Sequence, residues 1–258
     1  MPPVSAYIIA YNEAEKVAAA IESVRWADEI VLLDSYSNDD TAKIAARMGV
    51  KVIQLPFTTF GKLRNDAMAA CTHDWIFSLD ADERCTVAAA QEILTTLAAP
   101  QADAYYVPRQ NWFMGRWIQY GGWYPDYRQP QLFRKGALTF DAAAEVHESY
   151  TVTGKVGHLR QAIVQVPFQN LSQIIHKMQR YSSLGADKLA RTGRSSSMSQ
   201  ALAHGIWAFI RIYILKRGFL DGWAGFVIAL GNFEGTFYRY AKRATDDVNW
   251  LHPPERLP

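Results

Sequence analysis

Residues 75–83 read Trp75-Ile76-Phe77-Ser78-Leu79-Asp80-Ala81-Asp82-Glu83, a short apolar run that ends in a cluster of carboxylates. A run of this length closed by a polar turn predicts a strand buried on both faces. Earlier runs at 4–10, 29–33 and 51–55 have the same form, and each leads into polar residues. Helical patterns of about a dozen residues lie between them, at 13–24, 39–48 and 62–71. Strand and helix alternating in this way imply right-handed crossovers and a mainly parallel sheet, an α/β fold. Ligands of such sheets bind beyond the carboxyl ends of the strands, so the residues directly after each run carry the functional reading.

Those residues form an ordered set. Ala10 is followed by Tyr11-Asn12-Glu13, and the second run by Asp34-Ser35. After a short loop the third leads to Gly61-Lys62-Leu63-Arg64-Asn65, and the fourth ends in Asp80-Ala81-Asp82-Glu83. Gathered at one rim they suit a nucleoside diphosphate. A carboxylate grips base or ribose hydroxyls, cations meet phosphates, and an acidic pair holds Mg²⁺ or Mn²⁺ against the pyrophosphate. Each piece also has a plainer explanation. Asp82 could cap a helix beginning near Thr86, Lys62 and Arg64 could form a solvated helix face, and Asn12 and Asp34 could be turn formers. Their order at the ends of successive strands favours function.

Beyond Pro100 the rhythm changes. Strands are predicted at 104–108, 131–134, 150–156 and 162–166, with a glycine- and aromatic-rich loop at 112–127. Its Trp and Tyr residues could form a floor for an acceptor sugar, or pack the second half onto the sheet. From 171 to about 244 the pattern is helical, with breaks near 193–197 and 218–222. The expected division is an α/β domain carrying these rim residues over 1–168 and a helical region over 169–258.

Composition fits an ordinary globular protein, with 49% hydrophobic and 20% charged residues in 258. The net charge of +2 is unevenly placed. Lys and Arg number 12 against 6 Asp and Glu from Leu171 onward, but 15 against 19 before it. Two cysteines, Cys71 and Cys85, without metal-ligand spacing argue against a disulfide framework or a zinc site. No basic segment precedes the first apolar run, so no signal peptide is expected. No stretch has the ~18 consecutive apolar residues of a spanning helix. The expected location is cytoplasmic, peripheral on the inner face of the membrane. The tail supports this: Ile206, Trp207, Phe209, Ile210, Tyr213 and Ile214 lie among Arg211, Lys216 and Arg217, and Lys242 and Arg243 come later. Aromatic and basic residues on helices of this kind suit an anionic membrane surface; the alternative is core packing. Nucleic acid is not an expected partner.

Asn12-Glu13, Asp34-Ser35 and Asp80-Ala81-Asp82-Glu83, in this order, resemble the family 2 glycosyltransferases of the GT-A fold. Five later segments, at 112–118, 122–126, 132–134, 146–148 and 217–222, resemble the lipopolysaccharide inner-core β-glucosyltransferase branch. One departure is Gln131, where many relatives carry an arginine before Leu132-Phe133-Arg134. The resemblance implies an inverting transfer of a sugar, glucose from UDP-glucose, to an inner-core or similar lipid-linked saccharide acceptor. It implies that Ala10, Tyr11, Asn12, Glu13, Asp34 and Ser35 line the nucleotide pocket. Lys62, Arg64 and Asn65 would lie near the diphosphate, with Asp80 and Ala81 near the donor. Asp80 and Asp82 would be ligands of a divalent metal, Mg²⁺ or Mn²⁺. Glu148 is the favoured catalytic base, Asp126 and Glu145 its rivals, and His147 a possible metal or phosphate contact. The competing functions are a sugar nucleotidyltransferase, which would need a glycine-rich basic loop after the first strand, and a non-catalytic, membrane-associated nucleotide-sugar-binding module.

Overall fold

The computed structural model describes residues 1–143, 149–168, 170–246 and 248. The chain forms two compact units, one of Met1–Trp112 with Tyr124–Pro167, the other of Phe113–Trp123 with Phe168–Pro258. The division expected after 168 did not anticipate that the segment Phe113–Trp123 belongs with the helices.

In the first unit β1 (Val4–Ala10), β2 (Glu29–Asp34), β3 (Lys51–Gln54) and β4 (Trp75–Asp80) alternate with α1 (Ala14–Ser23), α2 (Thr41–Arg47) and α3 (Phe60–Ala70). Then come β5 (Glu83–Arg84), α4 (Val87–Ala98), β6 (Ala104–Tyr106) and β7 (Arg109–Phe113). After β8 (Arg116–Trp117), which lies in the second unit, the first resumes with β9 (Pro130–Arg134), β10 (Leu138–Phe140), β11 (Tyr150–Val152), β12 (Val156–His158) and β13 (Ile163–Gln165). The main sheet has seven strands in the order β12-β6-β9-β4-β1-β2-β3. β3, β2, β1 and β4 are mutually parallel, while β9 runs antiparallel between β4 and β6. This is the mainly parallel α/β arrangement expected from the sequence.

Both faces of the sheet are covered, which explains why the strands read as unbroken apolar runs. In β1, Ala6, Ile8 and Ala10 face a core with Val17 and Ile21 of α1 and Ile93 and Leu97 of α4. Tyr7 and Ile9 face the opposite core, with Leu63 and Ala67 of α3 and Phe140 of β10. The strand expected at 104–108 stops at Tyr106, because Pro108 has no N–H for the ladder and the chain restarts in β7. The helix expected from 62 starts at Phe60, since Thr59 caps it by accepting the Lys62 N–H at 3.1 Å. The strand expected over 150–156 is divided into β11 and β12 around Gly154 at φ +96°.

In the second unit α5 (Leu171–Arg191) is followed by α6 (Met198–Ile210) and α7 (Gly222–Ala244). The break near 193–197 ends in a capping box, Ser197 with Gln200. The break near 218–222 is more elaborate. α6 runs into a π-helical turn, Arg211–Leu215, then Arg217 takes a left-handed φ of 58°, and a 3₁₀ turn, Gly218–Asp221, delivers the chain to α7. The buried Asp221 carboxylate accepts the N–H groups of Gln119 (3.2 Å) and Tyr120 (2.9 Å), and so fastens the 113–123 segment to these helices.

Cys71 and Cys85 are both buried, and burial pushes each thiol up to about 12. A thiol with a raised value stays protonated below it and is a poor nucleophile. Iodoacetamide at pH 8 is therefore expected to leave both cysteines unmodified in the native protein and to alkylate both in urea. Mass spectrometry of intact protein checks this, and rapid native labelling would contradict the packing.

Candidate active site

The sheet register gathers the candidate residues. Ala10 stands opposite Asp34, and Ile9 opposite Asp80, so the ends of β2, β1 and β4 lie side by side. The order around β1 reverses here, with β2 on one side and β4 on the other, the place where open α/β sheets leave a crevice.

The turn after β1 is laced to the loop after β2. Asn12, at φ 55°, accepts the Asn38 N–H at 2.8 Å and gives its own N–H to Ser37 Oγ at 2.9 Å. The N–H of Glu13 reaches Thr41 Oγ1 at 2.8 Å. Asp34 is fully buried. It accepts from Gln54 Nε2 at 2.9 Å, the Ser37 N–H at 3.1 Å and the Ser37 hydroxyl. Asn12 and Asp34 thus hold the two loops in one shape. Ser35 is buried, and its hydroxyl has no protein partner. The side chains this rim shows to solvent include Tyr11 and Tyr36, each 55% exposed.

The cationic cluster divides. Lys62 is exposed and pairs with Asp66 at 2.7 Å, four residues along the same helix. Asn65 clamps α3 to β10, donating to the Phe140 carbonyl (2.8 Å) and accepting the Phe140 N–H (3.0 Å). Arg64 alone reaches the acidic turn. It is buried, 3.0 Å from Asp80 and 3.4 Å from Ser78 Oγ, with its guanidinium 5.7 Å from the Phe140 ring centre.

Glu83 holds the acidic turn from beneath. Its buried carboxylate accepts the Asp80 N–H at 2.9 Å, Gln131 Nε2 at 3.2 Å and Arg109 Nε at 2.5 Å. Burial pushes the Glu83 carboxyl up, against the pull of Arg109. Arg109, also buried, extends Nη1 to the Asp126 carbonyl at 3.3 Å. The Asp126 carboxylate is 2.7 Å from Arg128 and accepts Asn111 Nδ2 at 3.2 Å. Asp82 has a different environment: both its oxygens accept Gln165 Nε2, at 3.2 and 3.1 Å. Burial, then the neighbouring carboxylates of Glu83 and Asp80, raise its carboxyl to about 7. It does not cap α4; Thr86 does, accepting the Ala89 N–H at 3.0 Å.

Glu148, Glu145 and His147 lie outside the described residues. Of the aromatic loop, Phe113, Ile118 and Trp123 contribute to the core of the second unit, and Tyr127 packs edge-on against Tyr106 and His158 in the first. The sequence did not single out Arg109, Asn111, Arg128 or Gln165. Arg109, Asn111 and Gln165 are remote in sequence from their partners, whereas Arg128 stands two residues from Asp126; only Gln131 gave a signal, as a departure from the expected arginine.

No group of three or more His, Cys, Asp or Glu side chains able to hold a metal occurs among the described residues. Mg²⁺ bound with a diphosphate needs only one or two carboxylates, the rest being water and phosphate oxygens. Asp80 and Asp82 fit that smaller demand. They supply oxygen donors, and Asp82 sits in a crowd of carboxylates with only amide hydrogen bonds upon it, where a cation relieves repulsion.

An acidic turn lies at the carboxyl end of the central parallel strands, and residues 5–145 match the model of the family described as Glycosyl transferase family 2. The chain belongs to this family and is a glycosyltransferase. It is 30% identical over 253 residues to an uncharacterized glycosyltransferase of Rickettsia felis, covering 94% of this chain and 89% of that one. It is 28% identical over 267 residues to the lipopolysaccharide core biosynthesis glycosyltransferase LpsC of Rhizobium meliloti, covering 96% of each. Among solved structures, glucosyl-3-phosphoglycerate synthase of Mycobacterium tuberculosis with Mn²⁺, UDP and glucosyl-3-phosphoglycerate aligns over 43% of this chain and 44% of that one, at 22% identity and a TM-score of 0.37.

Removing one member of the buried pair strands the other without a counter-charge. Arg109→Met is expected to lower stability by about 3–5 kcal/mol, and Glu83→Leu with Arg109→Met to recover most of that loss. Urea unfolding of the single and double variants measures this. Equal midpoints for wild type and Arg109→Met would show that the pair does not support the fold.

Proposed function

We propose that this chain is an inverting hexosyltransferase that takes glucose from UDP-glucose and places it on an inner-core or similar lipid-linked saccharide at a membrane surface. The observation that carries this reading is the acidic turn Asp80-Ala81-Asp82, locked by Glu83 beside Ala10 and Asp34. The nucleotide would lie across the ends of β1 and β2, against the turn that Asn12 and Ser37 stiffen. Asp80 and Asp82 would hold a divalent cation, which when bound offsets charge growing on the departing diphosphate. Arg64, held at Asp80, adds fixed positive charge at the same place without reorganisation. Glu148 is the proposed base for the acceptor hydroxyl, and Asp126, paired with Arg128 at 2.7 Å, is its rival. A sugar nucleotidyltransferase is disfavoured, because the turn after β1 is Tyr11-Asn12-Glu13 and has no glycine-rich loop to cradle a triphosphate.

Membrane contact would come from the second unit. Among the described residues no helix is long and apolar enough to cross a membrane. Trp207, Phe219 and Trp223 are 56%, 45% and 78% exposed, and Ile214, Leu215 and Leu220 are exposed with them. Arg211, Lys216 and Arg217 share this stretch of chain. Such a patch suits an interface of lipid and water. Phe209 and Tyr213, by contrast, pack inward on the core. Lys242 and Arg243 are committed elsewhere, Lys242 to Gln179, Ser182 and Ser183 of α5, Arg243 to Asp246 and the Arg194 carbonyl.

UDP-glucose at about a hundred times its dissociation constant is expected to stabilise the protein by roughly 2.7 kcal/mol, but only with Mn²⁺ or Mg²⁺. Asp82→Asn should abolish both the metal requirement and transfer while keeping the melting temperature of the free protein. Glu148→Gln should lose turnover and retain donor affinity. Full stabilisation in chelator would remove the metal from this reading, and a dead Asp126→Asn beside an active Glu148→Gln would exchange the two carboxylates.

Sedimentation with vesicles tests the surface. Wild type should pellet with anionic vesicles at low salt and be released as salt rises. The triple variant Trp207→Ser/Phe219→Ser/Trp223→Ser should stay in the supernatant. A wild type that ignores anionic vesicles would reduce the patch to a packing element.

A further inference from the structure

The second unit contains a cavity of about 310 Å³, apart from the acidic turn and from the exposed patch. It lies between α5 and α7, where Phe113, Trp123, Phe168, Ile174, Val227 and Ile228 give it an apolar wall. Its size is at the lower end of the roughly 300–1,000 Å³ of small-molecule pockets, enough for one narrow ligand. Two of the neutral polar side chains along it are engaged with α5 and α7 themselves. Ser182 Oγ donates to the Gln179 carbonyl (2.9 Å) and accepts from Lys242 (2.8 Å), while Asn232 Nδ2 donates to the Ile228 carbonyl at 2.9 Å. Those bonds occupy the Ser182 hydroxyl and the Asn232 amide nitrogen.

Charge supplies the second constraint. Lys177 and Arg239 line the cavity, and no carboxylate does among its lining residues. The Lys177 ammonium stands 5.0 Å from the centre of the Phe168 ring and 5.9 Å from that of Tyr181, held at the edge of the apolar wall. An occupant complementary to this site has a slender apolar body and one anionic end. The cavity is opened from within α7 by Gly231: a Cβ there would meet no atom within 4 Å, although glycine weakens a helix interior. One helical turn further on, a Cβ at Gly235 would come within 3.4 Å of Met178.

We propose that this cavity binds one acyl chain of an anionic membrane lipid, with the phosphate of its headgroup at Lys177 and Arg239. The site is separate from the sugar-transfer reading and stands or falls without it. It would add a lipid-specific contact to whatever the exposed aromatic patch contributes, since a chain laid against the apolar wall is withdrawn from water on that side.

The test uses the full chain without donor or metal, and displacement of a fluorescent fatty-acid reporter by dodecyl phosphate below its micelle-forming concentration. Dodecyl phosphate should displace the reporter, dodecanol should do so about tenfold less well, a difference of about 1.4 kcal/mol, and inorganic phosphate not at all. Gly231→Leu fills the opening with a good helix former, so it should keep or raise the melting temperature and lose dodecyl phosphate binding. Lys177→Gln/Arg239→Gln should bring dodecyl phosphate down to the level of dodecanol, which keeps the idea testable should the leucine variant not fold. The proposal is overturned if wild type does not bind dodecyl phosphate, or if a folded Gly231→Leu binds it as wild type does. It is also overturned if inorganic phosphate displaces the reporter equally. Concentration-dependent dimers that Gly231→Leu dissolves, without reporter displacement, would give the cavity to a second copy of this chain instead. Because neither donor nor metal is present, none of these outcomes bears on sugar transfer.

Discussion

The buried contact between Glu83 and Arg109 is the constraint on which the rest of the first unit depends. Taking two such charges from water costs several kcal/mol each, and their attraction repays this only when the remaining hydrogen-bonding capacity is used. Here most of it is. Glu83 also accepts from the Asp80 backbone and from Gln131, and Arg109 also donates to the Asp126 carbonyl. Apolar residues of equal volume would satisfy packing, but they would not tie these particular groups together. The pair connects the turn after β4 to the segment before β9, so the two acidic places, Asp80-Ala81-Asp82 and Asp126, share one buried anchor.

Above that anchor, charge is distributed unequally among the carboxylates. Asp80 has the guanidinium of Arg64 at 3.0 Å, and Asp126 that of Arg128 at 2.7 Å. Asp82 has the amide of Gln165 and the acidic company of Glu83 and Asp80, and burial, then those carboxylates, raises its carboxyl to about 7. A carboxylate so placed gains most from an added cation, whereas those already paired gain less. The motif Asp-Xaa-Asp therefore contains two unlike residues, one paired with Arg64 and one among carboxylates with an amide for partner.

Much of this was legible in the sequence because it is local. A strand buried on both faces announces itself as an apolar run, and the polar residues directly after such a run stand at the rim of the sheet. On that basis β1, β2 and β4 and the acidic turn were readable. The resemblance carried over the reaction class. Pairing at a distance was not legible. Nothing in the sequence near Lys62-Leu63-Arg64-Asn65 says that Arg64 turns to Asp80 while Lys62 turns to Asp66 and Asn65 to Phe140. Helical geometry separates these side chains by about 100° per residue, so neighbours in sequence face different surroundings. Arg109 and Gln165 were missed for the same reason, since their partners lie 26 and 83 residues away.

The segment Arg217-Gly218-Phe219-Leu220-Asp221-Gly222 shows how a motif can be informative for a reason other than catalysis. Arg217 takes a left-handed backbone, and a Cβ at Gly225 would lie 1.8 Å from the Gly218 carbonyl oxygen, so the 3₁₀ turn and the first turn of α7 touch backbone to backbone. That close approach puts Asp221 inside, where it accepts the N–H groups of Gln119 and Tyr120. It also leaves Phe219 and Leu220 outside, with Trp223 beyond them. A single compact turn thus fixes the 113–123 segment on one side and presents apolar side chains on the other. Burying an ionisable group and exposing large apolar ones within a few residues both work against stability. A stretch that does both is explained by the surface it builds rather than by the core it fills.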